Sequence, residues 1–200
     1  MFNIFKKEKK KDAFLNSISY KYNNKLIRLV PIGNWIFNEN EIIKKINKYR
    51  FINNKFFLNE IDRNIAKTNN FLKKIIKDKN MCLFLISSNH KIFYGVIGLK
   101  KKLNNMEIYF VLKLRKNKLF YISILKSIRW VVRVFSIKSF FVSVFSNNSK
   151  AKKLYYKCGF KDSSKKFLKK IKNHGLYKHK FVLKKNSNVG YHYQTLTLKR

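Results

Sequence analysis

Hydrophobic residues recur along this chain with two different periods, and the changes of period divide it into elements. From Asn24 the segment KLIRLVPIG sets apolar against basic positions and stops at Pro31 and Gly33, the pattern of a first strand. Ile42, Ile43, Ile46 and Tyr49 follow at helical spacing. Ile61, Ile65, Phe71, Leu72, Ile75 and Ile76 mark a second helical region, with Asn53 and Asn54 in the expected turn between them. Beyond Asn80 the segments MCLFLIS, KIFYGVIGL and MEIYFVLKL are short and rich in branched and aromatic residues. Separated by SSNH and KKKLNN, they predict three strands in an antiparallel meander. FYISILKSIRWVVRVF, residues 120–135, returns to helical spacing, and the near-continuous apolar run of KSFFVSVFS predicts a strand buried on both faces.

The stretch NSKAKKLYYKCGF, residues 148–160, reads as a helix with a start, a stripe and a stop. Asn148 suits an N-cap, Ala151, Leu154, Tyr155 and Cys158 form one apolar stripe, and Gly159 stands where a left-handed residue ends a helix. KKFLKKIK and LYKHKFVLKK flank Asn173, His174 and Gly175 and predict a closing hairpin. Residues 1 to about 20 read as a mobile basic lead-in, and 186–200 as a polar tail without a place in the sheet. The order is strand, two helices, three strands, helix, strand, helix, two strands. It predicts an α/β domain over 22–185 with a mixed sheet, in which the strands flanking the 120–135 helix are parallel.

Charge complicates this picture. Among 200 residues there are 47 Lys+Arg against 9 Asp+Glu, a formal net charge of +38. Such a field attracts nucleic acid, anionic membrane or a polyanionic substrate. The abundance of Lys, Asn, Ile, Phe and Tyr, with few Gly and one Pro, is also what A/T-rich codons produce, so composition alone accounts for much of the charge. Cys82 and Cys158 lie in apolar segments and read as reduced thiols of a cytoplasmic protein. The four histidines make no ligand spacing with them, so no metal site is expected. No run approaches the roughly 18 apolar residues of a membrane span, and MFNIFKKEKKKD lacks the apolar core of a signal peptide.

The element order, taken with NSKAKKLYYKCGF, resembles the GNAT superfamily of N-acetyltransferases, which transfer acetyl from acetyl-CoA to an amine. Members usually carry an Asn, a small residue three on, Leu-Tyr, a basic residue and Gly-Phe. Asn148, Ala151, Leu154, Tyr155, Lys157, Gly159 and Phe160 match this without a gap. NHGLYKHKFVL looks like the polar-Gly turn and aromatic strand found near the end of many members. The resemblance covers about residues 22–185 and implies an α/β, GNAT-like mixed central sheet flanked by helices. KYRFINNKFF, the helix to Lys77 and MCLFLISSNHKIFYGVIGL look most similar to the acetyltransferases that modify amino-sugar nucleotides. The ribosomal-protein N-terminal acetyltransferases share much of that layout.

The resemblance also implies roles. Tyr155 is placed to protonate the leaving thiolate, the alternative being a tyrosine packed in the helix stripe. Asn148 would bond the pantetheine arm, serve as N-cap, or both. Val111 and Leu112 would lie along the cofactor, and a backbone amide within 107–112 would serve the oxyanion. Glu107 is the best candidate for a general base; its other reading is a solvent-facing Glu among lysines. The family's Arg/Gln-X-X-Gly-X-Gly/Ala loop corresponds to Arg115, Lys116, Asn117, Lys118, Leu119 and Phe120, so Lys118 and Phe120 occupy both glycine positions. Bulk there is expected to obstruct the close backbone approach to a pyrophosphate that glycine permits. Acetyl-CoA is thus implied as co-substrate, with an amino-sugar nucleotide or a protein N-terminus as acceptor. The competing reading is a noncatalytic protein of this fold that binds RNA or another polyanion. An open sheet edge and the aromatic tail permit a homodimer.

Overall fold

Two asparagines in the left-handed region, Asn23 (φ 45°) and Asn24 (φ 58°), fold strand β1 (Ile18–Tyr22) back onto β2 (Lys25–Pro31). A pair of positive φ values is what a two-residue hairpin turn requires, and Asn tolerates them. The computed structural model describes residues 2–88, 92–113, 119–173, 176–183 and 192–199. After β2 come helices α1's successors, α2 (Asn40–Ile52) and α3 (Ile65–Lys77), α1 itself (Lys10–Leu15) preceding the hairpin. The meander β3 (Met81–Ser87), β4 (Phe93–Lys102) and β5 (Asn105–Lys113) follows as expected, then α4 (Leu119–Phe135), β6 (Ser139–Phe145) and α5 (Ser149–Lys157). The hairpin β7 (Lys161–Asn173) and β8 (Leu176–Val182) precedes a last strand, β9 (His192–Lys199).

These strands form one mixed sheet in the order β1-β2-β3-β4-β5-β6-β9-β7-β8. Among the described residues only β5 and β6 pair in parallel, across the α4 crossover; the other pairings are antiparallel. One face packs against α4 and α5 through Ile97, Leu99, Met106, Ile108, Phe140 and Leu196. The other packs against α2 and α3 through Val30, Leu83, Leu85, Phe110 and Leu112.

Both ends of the chain differ from the sequence expectation. The lead-in is not a tail: Phe2 is fully buried, with its ring 6.4 Å from Trp130 and 5.5 Å from Phe135. The Lys6 ammonium donates to the carbonyls of Ile75 and Ile76 at 2.9 Å, capping the end of α3. Nor is 186–200 wholly outside the sheet, because β9 inserts between β6 and β7 with Leu196 fully buried. The domain therefore reaches beyond 22–185 on both sides.

A bulge in β5 shapes the middle of the sheet. Gly98 of β4 pairs with Phe110 and the next residue, Leu99, with Ile108, so Tyr109 is the extra residue. Gly98 leaves room for it: a Cβ there would stand 2.6 Å from the Tyr109 ring. The buried positions 106, 108, 110 and 112 alternate in sequence, yet Met106 and Ile108 face α4 and α5 while Phe110 and Leu112 face α2 and α3. One inserted residue has moved the pattern to the other face.

Candidate active site

Just before this bulge the sheet opens. The β5–β6 register runs from Asn105↔Ser139 to Glu107↔Phe141 and ends there, although β5 continues to Lys113 and β6 to Phe145. Beyond Glu107 one edge of β5 has no partner strand among the described residues, and the two strands part as a wedge. Helix α4 begins at the open end, so its N-terminal dipole is directed there.

Helix α5 stands on the α4 side of the wedge, and its ends are built as the sequence indicates. The Asn148 Oδ1 accepts the Ala151 amide at 3.2 Å. At the other end the Gly159 amide donates to Tyr156 O (2.9 Å) and the Phe160 amide to Tyr155 O (3.1 Å), with Gly159 at φ 91°. That is the paired arrangement of a Schellman stop. Tyr155 and Cys158 are buried, and the Phe160 ring meets Tyr155 edge-on at 5.8 Å. Burial pushes the Tyr155 hydroxyl well above its ordinary pKa, with Tyr193 and Cys158 adding to the effect, so it is protonated throughout the neutral range.

Glu107 lies at the vertex, between Met106 and Ile108 and therefore directed to the opposite face. Its carboxylate is 2.8 Å from the Lys102 ammonium, and its side chain is only 13% exposed, so it is not a solvent-facing Glu. The same face carries two tyrosines that sequence reasoning passed over. Tyr109, at the bulge, has a buried hydroxyl without a hydrogen-bond partner among the described residues, held well above its ordinary pKa first by burial. Tyr193, on β9, is pushed up to about 12 by burial and then by Glu107. Gly98 opposite the bulge was a legible signal for Tyr109; Tyr193 stood in a segment read as tail. Val111 packs at the margin of the α4–α5 core and Leu112 is buried under α2 and α3, so the bulge separates these two candidates onto different faces.

Of the six loop candidates, Arg115, Lys116, Asn117 and Lys118 lie outside the described residues. Leu119 and Phe120 form the first turn of α4 and are buried. Phe120 departs from expectation. Its ring lies over Gly95 of β4, where a Cβ would stand 2.0 Å from the ring tip, so the side chain enters the core. The bulk at position 120 is accommodated by the glycine at 95. Among the described residues no group of His, Cys, Asp or Glu is placed to hold a metal, and no helix is long and apolar enough to cross a membrane.

No protein-family model matches the chain, and no curated protein does. Solved structures do. A probable GNAT-family acetyltransferase from Chromobacterium violaceum superposes with a TM-score of 0.69 at 10% identity, over 92% of this chain and 85% of that one. The microcin C7 self-immunity acetyltransferase, solved with acetyl-CoA and AMP, gives 0.65 at 17% identity over 89% and 94%. Spermidine N-acetyltransferase from Vibrio cholerae, solved with CoA and spermine, gives 0.62 at 12% identity over 86% and 95%. Likeness at these identities establishes architecture, and the chain has the mixed α/β fold of these acetyltransferases.

Proposed function

We propose that this protein is an acetyl-CoA-dependent N-acetyltransferase acting on a primary amine. The observation that carries the reading is the parting of β5 from β6 beyond Glu107, beside the N-terminus of α4 and the Tyr155 helix. An unpaired strand edge can bond an extended amide-bearing arm as it would an added strand. A helix N-terminus favours the pyrophosphate at the arm's end. The group fits these residues because the Phe120 ring, which replaces a family glycine, is turned into the core and away from that path.

Acetyl-CoA brings an acyl group already activated as a thioester, and the residues of this chain position it and manage protons. Glu107, oriented by Lys102, receives the proton of the attacking amine directly or through one water. Backbone amides along the free edge of β5 oppose the negative charge that grows on the carbonyl oxygen. Tyr155 gives its hydroxyl proton to the departing sulfur. Its burial raises the phenol's pKa, and the same surroundings raise that of a thiolate, so donor and acceptor stay matched. The Asn148 carbonyl oxygen is used by the helix cap, which leaves its amide nitrogen as donor to the pantetheine.

The acceptor we favour is an amino-sugar nucleotide. A net charge of +38 attracts a diphosphate and repels a polyamine, which argues against spermidine even though one neighbour acts on it. The microcin immunity neighbour was solved with a nucleotide, AMP. Calorimetry should show saturable acetyl-CoA binding, and no heat at millimolar ligand would sink the proposal. Tyr155→Phe should lower kcat about 100-fold or more with cofactor affinity unchanged; an unchanged rate removes Tyr155 from the mechanism. A sugar nucleotide with a free amine should be acetylated in preference to spermidine. The reverse preference would discard the acceptor and leave the reaction.

A further inference from the structure

The excess charge of this protein is not evenly spread. From Lys161 to Val182 there are eight lysines in 22 residues against one acid, Asp162, a density a little over one in three, compared with 47 Lys+Arg in 200 for the whole chain. This span is the β7–β8 ribbon. Among the described residues β7 pairs with β9 as far as Phe167 and with β8 from Phe167 to Asn173. Lys165, Lys166, Lys169, Lys170, Lys172, Lys178 and Lys180 are all exposed.

Two aromatic side chains stand among these lysines in the open: Tyr177 is 43% exposed and Phe181 54%. The Lys170 ammonium lies 3.8 Å from the Tyr177 ring centre and that of Lys166 lies 5.6 Å from the Phe181 ring centre. On the other face of the ribbon Lys169 is directly opposite Lys180, a cross-strand pair of like charge that disfavours the sheet unless an anion lies between. Lys165, Lys166, Lys169, Lys172, Lys178 and Lys180 form no ion pair among the described residues. Glu60, from the α2–α3 loop, accepts the Tyr177 backbone amide at 2.6 Å instead. The loop so fastens one edge of the ribbon, Asn59 bridging to Lys178, and keeps it a fixed platform.

We propose that the β7–β8 ribbon binds single-stranded nucleic acid, its lysines following the phosphates and Tyr177 and Phe181 stacking on unpaired bases. Rows of cations interleaved with exposed ring faces are the surface that single strands fit. A lipid surface fits less well, because the exposed rings are ringed by charge. A second copy of so basic a ribbon would be repelled. The proposal is independent of the acetyltransferase reading.

The test is fluorescence anisotropy of the full-length protein with a labelled 12-nucleotide oligouridylate over a salt series. The variant Lys166→Gln/Lys169→Gln/Lys170→Gln/Lys180→Gln should flatten the slope of log affinity against log salt by about 2 to 3. Tyr177→Ala/Phe181→Ala should weaken binding at least about 5-fold with the slope unchanged. Both variants are expected to melt as the parent does. Parental affinity and slope in the lysine variant would overturn the proposal, since attraction would then belong to the surface at large. Tighter binding to a duplex of equal length, or to anionic phosphatidylserine vesicles, would overturn it as well.

Discussion

Helix α5 and strand β9 are close neighbours in the structure and opposites in how they are specified. The helix is closed by its own thirteen residues: Asn148 caps it, Gly159 stops it, and Phe160 folds back on Tyr155. The strand has no such local closure. It exists because β6 and β7 leave a slot one strand wide, and its partners lie at 139–145 and 161–167. Gln194, Leu196 and Leu198 then face the α4–α5 core while Tyr193, Thr195 and Thr197 face away. An element that satisfies its own end groups is readable from a short stretch. One that satisfies those of its neighbours is not.

The difference predicts unequal damage. Truncation after residue 190 removes β9 and leaves the facing edges of β6 and β7, with their amides and carbonyls, unpaired inside a sheet. The expected outcome is loss of the cooperative melting transition and aggregation on expression. A truncated chain that melts cooperatively at the parental temperature would show that β9 merely decorates the sheet. Truncation at the other end, before Lys7, should act in the same direction through loss of Phe2 from the Trp130 cluster.

The same distinction explains what could be read beforehand. The meander, α4, β6 and α5 carry their period and their breakers within themselves, and so do the proposed site residues Asn148 and Tyr155. β1 is hidden although ISYKY and KLIRLVP flank an Asn-Asn turn, because the lysines of the lead-in conceal a strand of only five residues. β9 was missed because HYQTLTLK, with two leucines among polar residues, resembles a tail until the slot is known. Phe120 was read as an obstacle because the glycine that receives its ring, Gly95, lies 25 residues earlier on another strand.

That last pair gives the second prediction. A Cβ at Gly95 would stand 2.0 Å from the Phe120 ring and 2.5 Å from the Leu112 carbonyl oxygen. Gly95→Ala should therefore destabilise the fold by about 1–3 kcal/mol through overpacking. Adding Phe120→Ala should recover part of the loss, since the two sites share one volume and cannot be additive. Additive losses in chemical denaturation would mean that the ring does not rest on Gly95.

Smaller effects belong to the ends of α5. Asn148→Ala removes the bond to the Ala151 amide, and Gly159→Ala forces a Cβ into a conformation at φ 91° without meeting any close neighbour. Each is expected to cost about 1 kcal/mol. Because the helix is locally closed, these losses should add to one another and leave the β9 slot intact. Coupled losses well above the sum in a double variant would contradict the local account of α5.

An effect no larger than these tests whether an element hidden in the lead-in is joined to one that was legible. The Tyr20 hydroxyl on β1 and the Ser123 hydroxyl on α4 are 2.7 Å apart, both side chains buried, and burial pushes the Tyr20 pKa up to about 12. In the unfolded chain a tyrosine ionises near 10. Between these values the unfolded state holds fewer protons than the folded one, so stability falls as pH rises. The contribution is whole below about pH 10 and is lost as pH passes through the folded value. Tyr20→Phe should cost about 1 kcal/mol at pH 7 by breaking the bond, and the phenylalanine has nothing to ionise. The gap between the two proteins should accordingly narrow in urea titrations from pH 9 to 11.5. Tyr193 and Cys82, also raised to about 12 by burial, are common to both proteins and cancel from the difference. A gap that stays constant across this range would mean that the Tyr20 hydroxyl ionises as freely in the folded protein as in the unfolded chain, and β1 would then not be closed against α4.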